Sequence, residues 1–442
     1  MFNKINQLQV FIKTFGCQMN FHDSEKMAGI LKEAGYQITL NPENSNVIIL
    51  NTCSIRSHAE EKVYSQMGRF KELKENKPSL ILGISGCVAK EKKEKLFKKI
   101  PYLDFIIGPD TICELPSILE KIKLGTREIQ SLDDDTNSLN LGLKSVRLNK
   151  IKAFVSIMKG CNNFCTYCIV PFVRGKEVSR ESKEILDEIN HLVKQGIIEI
   201  TLLGQNVNSY GKDLEENINF ADLLNKCSQI ENLKRIRFVT SHPKDTSLKL
   251  IEVMAKKGNV CENLHLPLQS GSDKILELMN RKHKIKNYID IIQKIREFIP
   301  DISITTDLIV GFPQETDEDF EKTLEVVKQI QFDAAFTFKY SIRLNTPASL
   351  MSGQVLEEIK QKRLEKLIQI QREISLKKNN DLIGKKLEVL FENISKKNDK
   401  EIMGRTCSNK IVIAKGDFNL IGKFAEVQIK ETTSVVLIGE IK

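Results

Sequence analysis

Residues 159–171 read Lys-Gly-Cys-Asn-Asn-Phe-Cys-Thr-Tyr-Cys-Ile-Val-Pro, with cysteines at Cys161, Cys165 and Cys168. This C-x3-C-x2-C spacing lets a short loop curl three thiolates around one small inorganic centre. A [4Fe–4S] cluster normally takes four cysteines, so three local ligands imply either a distant fourth ligand or an iron left open for a small molecule. A zinc site is the alternative, but a closed zinc site needs four protein ligands. No fourth Cys or His follows within about twenty residues.

The apolar run before this motif, Ala153 to Met158, predicts a buried strand with the cysteines on the loop at its carboxyl end. Strand-like and helix-like segments then alternate, and six βα units predict an incomplete barrel with its site on the C-terminal loops. The predicted strands span 153–158, 198–203, 235–240, 263–268, 303–310 and 334–340, and the clearest helices span 183–194 and 318–330.

The loops after these strands carry polar residues where a cofactor would need them. Gly, Ser and Pro also simply form turns, so each loop alone is weak evidence. His242, which precedes a proline, is interpreted as a loop hydrogen-bonding residue rather than a ligand. The candidate cofactor-binding residues from these loops are Gln205, Asn206, Gln269, Ser270 and Gly311.

Three predicted strands near the N-terminus each end at a cysteine. With a fourth strand at 103–107 and helices at 23–33 and 57–75, the alternation predicts an α/β fold with a doubly wound parallel sheet. The carboxyl edge of such a sheet would gather the three thiols at a ligand site, which predicts a second metal centre. The alternative is three buried thiols that merely follow strands. The pairs of strand and cysteine are 10–15 with Cys17, 47–52 with Cys53, and 80–85 with Cys87.

Residues 126–150 lose apolar periodicity and predict an interdomain linker. A helix rich in Glu, Lys and Gln is predicted over 356–378, with its charges on a solvated face. Short alternating runs at 387–391, 410–414, 424–429 and 435–438 then predict a small antiparallel β barrel. Such barrels often bind oligonucleotides, although a structural cap stays open. The predicted domains are 7–125, 147–379 and 380–442.

The composition is that of an ordinary soluble protein, with 442 residues, 41% hydrophobic, 28% charged and no Trp. No apolar run approaches the ~18 residues of a membrane span, and the N-terminus lacks an apolar signal segment, which predicts a cytoplasmic protein without membrane contact. Ten cysteines in that reducing compartment indicate metal or redox chemistry rather than disulfides. The formal charge of +9 permits an acidic partner such as RNA, but residues 380–442 carry 11 Lys and Arg against 9 Asp and Glu and form no basic tail.

The cysteine motif, with the aromatic Tyr167 before its third cysteine, resembles that of the radical S-adenosylmethionine (SAM) enzymes. Nearly the full chain is similar to the radical SAM methylthiotransferases, and most to the branch that makes 2-methylthio-N6-dimethylallyladenosine in tRNA. This resemblance implies an N-terminal methylthiotransferase domain, a radical SAM core and a C-terminal TRAM domain that holds RNA. The motifs that carry it are GCQMN from Gly16, LNTC from Leu50, GCVA from Gly86, LLGQNVNSYG from Leu202, TSHP from Thr240, and the Cys161 motif.

The resemblance also implies two [4Fe–4S] clusters and SAM as cofactors, and it adds Tyr167 to the candidate cofactor-binding residues. One SAM would methylate a sulfur associated with the auxiliary cluster, and a second would yield the radical that activates carbon 2 of the adenine. That carbon is too unreactive for simple nucleophilic chemistry, so the cofactor must supply the reactivity. The SAM-cleaving cluster would be held by Cys161, Cys165 and Cys168, and the auxiliary cluster by Cys17, Cys53 and Cys87.

The implied substrate is tRNA, the implied electron donor is a flavodoxin or ferredoxin, and the protein is predicted to be a monomer. No catalytic residue beyond the cluster ligands is identified. Two other functions stay open: a sister branch that modifies threonylcarbamoyladenosine in tRNA or a ribosomal protein, and a non-catalytic Fe–S or RNA-binding protein, which predicts no SAM cleavage. The cysteines that match no ligand motif and are interpreted as ordinary thiols are Cys113, Cys227, Cys261 and Cys407.

Overall fold

Three units follow one another along the chain: a parallel sheet, an open barrel and a closed C-terminal barrel. They are seen in a computed structural model that describes residues 8–53, 57–132, 146, 147, 149–256, 258–395 and 398–442. None of the described helices is long and apolar enough to cross a bilayer.

The N-terminal unit is a parallel sheet of six strands with helices on both faces. Its strands are β1 (Gln9–Phe15), β2 (Gln37–Thr39), β3 (Val47–Thr52), β4 (Ile81–Gly86), β5 (Phe105–Ile107) and β6 (Ile129–Ser131), and its helices are α1 (Gln18–Glu33), α2 (Ser57–Asn76), α3 (Cys87–Lys92), α4 (Lys95–Lys99) and α5 (Leu115–Lys123). Strands β3 and β4 are buried along their whole length, as their continuous apolar runs predict for a sheet covered on both faces. Helices α1 and α5 pack on one face, and α2, α3 and α4 pack on the other.

The strand order is β2-β1-β3-β4-β5-β6, so the chain runs outward from β1 to β2 and then returns to β3 on the other side of β1. This confirms the predicted doubly wound sheet and places its reversal point between β1 and β3, where such sheets bind ligands. The predicted linker is wrong in its first residues, because Ile129–Ser131 pairs with β5 as the sixth strand. Residues 133–145 and 148 of that linker lie outside the described residues.

The central unit is the predicted incomplete barrel. Its strands are β7 (Lys152–Ser156), β8 (Met158–Lys159), β9 (Val178–Ser179), β10 (Glu199–Leu203), β11 (Arg235–Phe238), β12 (Asn263–His265), β13 (Ser303–Val310) and β14 (Ala334–Lys339). The parallel sheets β7-β10-β11 and β12-β13-β14 are joined by a bridge between Ile236 and Val260, while β8 and β9 form a short antiparallel pair. Its helices are α6 (Val170–Arg174), α7 (Ser182–Lys194), α8 (Phe220–Ser228), α9 (Leu248–Ala255), α10 (Asp273–Leu278), α11 (Ile285–Phe298), α12 (Asp317–Ile330) and α13 (Glu357–Asn380).

Helix α13 differs from the predicted solvated charged helix, because part of its charge is buried. Lys360 and Arg363 are 6% and 7% exposed, and Arg363 Nη1 lies 2.7 Å from Oε2 of the buried Glu315. A charged residue on such a face is stable only when it is paired in this way. The helix therefore contacts the core through ion pairs as well as through apolar side chains such as Leu367.

The C-terminal unit is a closed barrel in the order β15-β16-β17-β19-β18, formed by β15 (Lys386–Ile394), β16 (Glu401–Thr406), β17 (Ile411–Lys415), β18 (Phe424–Thr432) and β19 (Val436–Ile441). A small β barrel was predicted, but β16 was missed and the β17–β19 pair is parallel rather than antiparallel. Alternate residues of these strands fill the interior, as closure requires.

The C-terminal barrel docks at the amino-terminal ends of the central strands. Lys152, the first residue of β7, lies 2.5 Å from Glu392, and Arg235, the first residue of β11, lies 3.1 Å from Glu388. Asp333, just before β14, pairs with Lys410 at 2.9 Å. This junction is thus at the opposite end of the core from the loops that carry the candidate site residues.

Candidate metal centres and cofactor site

The structure brings Cys17, Cys53 and Cys87 together at the reversal point of the N-terminal sheet. The residues just before them are in register, because Phe15 pairs with Thr52 and Thr52 pairs with Gly86. Cys17 caps α1, Cys53 follows β3, and Cys87 begins α3. The strand ends approach so closely that a Cβ on Gly86, whose φ is +91°, would lie 2.4 Å from the Thr52 carbonyl oxygen. Glycine is therefore required there to let the three thiols converge.

The three thiols line one pocket whose wall comes partly from the central unit. The wall is largely apolar, and Arg174 brings a positive charge to it. A hydrogen bond with Cys53, together with the charge of Arg174, lowers the pKa of Cys17 to about 6 against the effect of burial. Burial raises the pKa of Cys87. The remaining residues that line this pocket are Met19, Ile169, Val170, Val173 and Gln205.

The second set of thiols lies on the loop between β8 and α6. Gly160 opens this loop with φ +75°, and a Cβ there would lie 1.8 Å from the Lys176 carbonyl oxygen, so only glycine fits. The loop is held by backbone hydrogen bonds from Cys161 N to Gly175 O at 3.2 Å and from Cys168 N to Cys165 O at 2.9 Å. The three thiols are near enough to interact, because burial and the charge of Cys165 together raise the pKa values of both Cys161 and Cys168.

Two polar side chains donate hydrogen bonds to thiols of this loop. Asn163 Nδ2 lies 3.4 Å from Cys161 Sγ, and Arg281 Nη1 lies 3.7 Å from Cys165 Sγ. Burial, with the charge of Cys165, raises the pKa of Cys168 to about 12. Donors of this kind lower the energy of thiolates, which are the form that binds metal. Sequence reasoning missed Arg281, which lies more than a hundred positions along the chain from Cys165.

The six candidate cofactor-binding residues occupy different settings. Tyr167 packs edge-on against Phe312 with ring centroids 6.5 Å apart. Gln205 Oε1 accepts a hydrogen bond from Gly160 N, the residue before Cys161, at 2.5 Å, and Gln205 also lines the pocket of the other thiols, so it lies between the two cysteine sets. Asn206 Nδ2 donates to Asp245 Oδ2 at 2.8 Å, and Asn206 Oδ1 stays unpaired among the described residues.

The other three candidates lie on the loops that follow β12 and β13. Gln269 is buried with φ +75°, and its Oε1 has no partner among the described residues. Ser270 is fully buried, and its Oγ accepts from Ser272 N, so its side chain serves the local turn. Gly311 N donates to the buried Glu315 at 2.6 Å, and a Cβ at Gly311 would meet the side chain of Lys360 at 2.3 Å.

Buried polar atoms without a protein partner concentrate around the carboxyl end of the barrel. Such atoms cost about 1–3 kcal/mol each unless something pairs with them, so their number here fits a polar ligand. Burial lowers the pKa of His283 to about 3 and that of His242 further still, which leaves both imidazoles neutral at pH 7. Within the described residues these atoms are Asn206 Oδ1, Asn208 Oδ1, Ser241 Oγ, His242 Nε2, Gln269 Oε1 and Arg281 Nε.

In the part of the chain that the structure describes, no three His, Cys, Asp or Glu side chains are arranged to hold a single metal ion. A closed zinc site takes four protein ligands, whereas each set here supplies three thiols. A four-iron cluster places each thiolate on a different iron, and with three thiolates it leaves one iron open. Three thiols with donor side chains beside them therefore fit a cluster better than a closed zinc site.

Family models divide the chain in the same way as the structure. Residues 155–327 match the Radical SAM superfamily, residues 9–108 match Uncharacterized protein family UPF0004, and residues 381–442 match the TRAM domain. The three-thiol loop on an open βα barrel, together with this match, defines the class of protein as a radical SAM enzyme.

Curated relatives cover almost the whole chain. The tRNA-2-methylthio-N(6)-dimethylallyladenosine synthase of Thermoanaerobacter sp. (strain X514) is 49% identical over 441 residues, which is 99% of this chain and 94% of the relative. The protein of the same name from Clostridium botulinum (strain Loch Maree / Type A3) is 48% identical over 98% of this chain and 96% of the relative. The chain belongs to the family of tRNA-2-methylthio-N(6)-dimethylallyladenosine synthases, which are radical SAM methylthiotransferases.

Two solved structures share the fold at low sequence identity. The radical S-adenosylmethionine methyltransferase TsrM from Kitasatospora setae, with cobalamin and a [4Fe-4S] cluster bound, has a TM-score of 0.58 and 12% identity over 78% of this chain and 77% of that one. The cobalamin-dependent radical enzyme OxsB has a TM-score of 0.51 and 12% identity over 82% of this chain and 56% of that one. A sheet followed by an open barrel is thus an arrangement found in other radical SAM enzymes.

Proposed function

We propose that this chain transfers a methylthio group to carbon 2 of N6-dimethylallyladenosine in the anticodon loop of tRNA. The structural observation that supports this function is the approach of the two cysteine sets. Helix α6 begins just after Cys168 and lines the pocket of the other three thiols, and Gln205 bonds to the backbone beside Cys161 while it lines the same pocket. A site that generates a radical and a site that holds sulfur must both reach one adenine, so their closeness fits the reaction.

The cofactors of this reaction are two [4Fe–4S] clusters and SAM. Reductive cleavage of SAM supplies the radical, and the auxiliary cluster supplies a place for sulfur. The ligand assignments are part of the proposal and rest on the two converging sets of thiols. Cys161, Cys165 and Cys168 would hold the first cluster, and Cys17, Cys53 and Cys87 would hold the auxiliary cluster.

The chain's own residues orient these groups and exclude water. Arg281 and Asn163 donate to thiols of the first set, and the Arg281 charge offsets the negative charge that thiolates bring. We assign SAM binding to Tyr167, Gln205, Asn206, Gln269, Ser270 and Gly311, supported by the unpaired polar atoms of Asn206 and Gln269. Ser270 and Gly311 would act through their backbone, because the Ser270 side chain serves a turn and Gly311 has none.

The tRNA would be held partly by the C-terminal barrel through phosphate contacts. Lysines on its surface are exposed and could release counterions on binding RNA. Replacing four of them with Ala should weaken tRNA binding and flatten its dependence on salt, while SAM cleavage without tRNA persists. Unchanged affinity and salt slope would leave the barrel as a structural cap. The four lysines chosen, all of them exposed, are Lys385, Lys400, Lys415 and Lys423.

The remaining parts of the proposal concern partners and location. A flavodoxin or ferredoxin would deliver the electron, because SAM cleavage needs a one-electron donor of low potential. The protein would act as a monomer in the cytoplasm, where its tRNA substrate is modified. Sedimentation of the purified protein tests the monomer, and reduction of the clusters by each donor tests the electron source.

The decisive experiment combines analysis of iron and nucleosides under anaerobic conditions. The reconstituted protein is incubated with SAM, a reductant and tRNA that carries N6-dimethylallyladenosine, and the nucleosides are analysed by mass spectrometry. The proposal expects 2-methylthio-N6-dimethylallyladenosine together with 5′-deoxyadenosine. A matched tRNA that carries threonylcarbamoyladenosine is the control. Modification of that control alone, or no SAM cleavage by protein loaded with iron and sulfide, would contradict the proposal.

A further inference from the structure

Arg174 is a buried cation that crosses from the central unit to the N-terminal unit. It ends α6, the helix that follows the Cys161 motif, and is 7% exposed. Its Nη2 donates to Asp23 Oδ2 of α1 at 2.7 Å, and Asp23 is 6% exposed. A guanidinium keeps its charge under all ordinary conditions, so this site carries a permanent positive charge.

The guanidinium of Arg174 also faces the thiols of the N-terminal sheet. It lies in the wall of the pocket that Cys17, Cys53 and Cys87 line. Within the described residues, Arg174 is the one charged side chain among those that line this pocket, beside apolar residues such as Met19 and Val173. An apolar wall lowers the local dielectric constant, so this charge acts more strongly than it would in water.

The charges around the pocket indicate how Arg174 acts there. Asp23 offsets part of its positive charge from outside the pocket, while the guanidinium itself lies on the inner wall. Three thiolates already bring negative charge to this place, and a further anionic sulfur would be repelled unless a cation lay beside it. A fixed cation in the wall of the same pocket can remove that repulsion and hold the incoming sulfur.

We propose that Arg174 is a positioning residue of the auxiliary centre, where it attracts and orients the anionic sulfur that this centre takes up, and that Asp23 sets how much of its charge is free for this task. The inference rests on the proposed function only in its naming of the auxiliary centre. An ion pair with Asp23 that merely joins the two domains is the competing explanation. It would leave the reduction potential and the sulfur affinity of the centre unchanged.

The test measures sulfur binding and potential directly. Full-length protein with Cys161, Cys165 and Cys168 changed to Ala is reconstituted anaerobically, so that one set of cluster thiols remains. Methanethiolate is titrated into the reduced protein and followed by electron paramagnetic resonance, and the midpoint potential is measured in its absence. Three further variants are compared in this background: Arg174→Gln, Arg174→Lys and Asp23→Asn.

Arg174→Gln is expected to weaken methanethiolate binding about tenfold or more, as loss of a charged hydrogen bond predicts, and to lower the midpoint potential, because a neutral pocket stabilises the added electron less. Arg174→Lys keeps the charge and should restore most of both values. Equal behaviour of the Gln variant and the parent protein would overturn the proposal. Equal loss in the Gln and Lys variants would show that the charge at this position does not control sulfur binding, and it would overturn the proposal too.

Asp23→Asn keeps the proposal testable if Arg174→Gln does not retain iron. Its amide can still accept the hydrogen bond from Arg174, but it removes the negative charge that offsets the guanidinium. Methanethiolate binding should therefore tighten and the potential should rise, whereas unchanged or weaker binding overturns the proposal. Failure of the proposed function has a different signature, since the wild-type protein would then bind methanethiolate and yet form no methylthio nucleoside.

Discussion

The Cys161 loop carries its three thiols within residues 161–168, whereas the other set comes from three strand ends between residues 17 and 87. The loop is fixed by a few of its own backbone bonds and by Gly160, so its shape depends little on distant packing. The sheet-edge set depends on the register of β1, β3 and β4, in which Phe15, Thr52 and Gly86 lie side by side. A slip of one residue in any of these strands would separate the thiols. The geometry of the Cys161 set therefore depends on local contacts, whereas the geometry of the sheet-edge set depends on the register of the sheet.

The largest effect should follow removal of the local set. Changing Cys161, Cys165 and Cys168 together to Ala should abolish both SAM cleavage and methylthio transfer, because no radical can then form. About half of the iron should remain, if each set holds one cluster of equal size. Iron analysis and 5′-deoxyadenosine release measure this, with Cys113→Ala as the control. Retention of all the iron would contradict the assignment of two separate sets.

Removal of the sheet-edge set should separate the two tasks. With Cys17, Cys53 and Cys87 changed to Ala, reductive SAM cleavage should persist while insertion of the methylthio group is lost, because the two sets lie on different domains. Both products are measured under anaerobic reduction, and folding is checked by circular dichroism. Normal formation of the methylthio nucleoside by this variant would remove the auxiliary centre from sulfur transfer.

A single methyl group added at the sheet edge tests whether strand register governs the sheet-edge set of thiols. Gly86→Ala places a Cβ 2.4 Å from the Thr52 carbonyl oxygen, so the ends of β3 and β4 must part and iron at the auxiliary centre should fall. Gly196→Ala is the matched control, because its φ of +95° is similar but nothing lies within 4 Å of its Cβ. The control variant should be destabilised only by the roughly 1–2 kcal/mol that alanine costs in the left-handed conformation. Equal iron content in the two variants would argue that register does not govern the site.

The smallest expected effect concerns Asp333, at the junction between the C-terminal barrel and the core strands, and it depends on pH. Burial raises the pKa of Asp333, but the ammonium groups of Lys410 and Lys378 outweigh it, so the pKa is lowered overall. A lowered carboxyl pKa gives stability that is present above the unfolded value of about 3.9 and is lost as the pH falls through the folded value.

Asp333→Asn should therefore destabilise the docked barrel by about 3 kcal/mol at pH 7, since it leaves two half-buried ammonium groups without their carboxylate partner. It should also remove part of the acid-induced loss of stability. Thermal unfolding of the iron-free protein at pH 7 and at pH 3.5 measures both, with Asp381→Asn, which is exposed, as the control. An identical stability profile for Asp333→Asn and wild type would show that the junction does not depend on this carboxylate.

Much of the fold could be predicted because its central strands are continuous apolar runs. Strands β1, β3 and β4 were placed within about one residue for this reason. Strands β2 and β6 were missed, since each has three residues, lies at a sheet edge and buries little. Strand β16 was missed because Glu401–Thr406 alternates polar and apolar residues weakly. Edge positions and half-polar strands are defined by their neighbours more than by their own sequence.

The site was predictable only where residue type alone carries the chemistry. Cysteines that follow strands could be recognised in the sequence, and the structure brings each set together. Arg174 and Arg281 could not be found this way, because a single arginine gives no sequence signal of the thiols that it lies beside in the fold. Arg147 is a similar case, since it lies in the predicted linker yet pairs with Glu25 and Glu188 at 2.9 Å each.

The C-terminal barrel docks at the amino-terminal ends of the core strands, so the length of these strands sets the distance between the barrel and the thiol loops. Core strands of five to eight residues span roughly 17–26 Å, and the thiol loops lie at the other end. An RNA that touches both must be long enough to cover that distance, whereas a free nucleoside or a trinucleotide can occupy the catalytic end alone. This distance therefore favours RNA substrates that are long enough to contact both ends. A short RNA with the correct base should be modified at a rate that does not change when the barrel's lysines are removed.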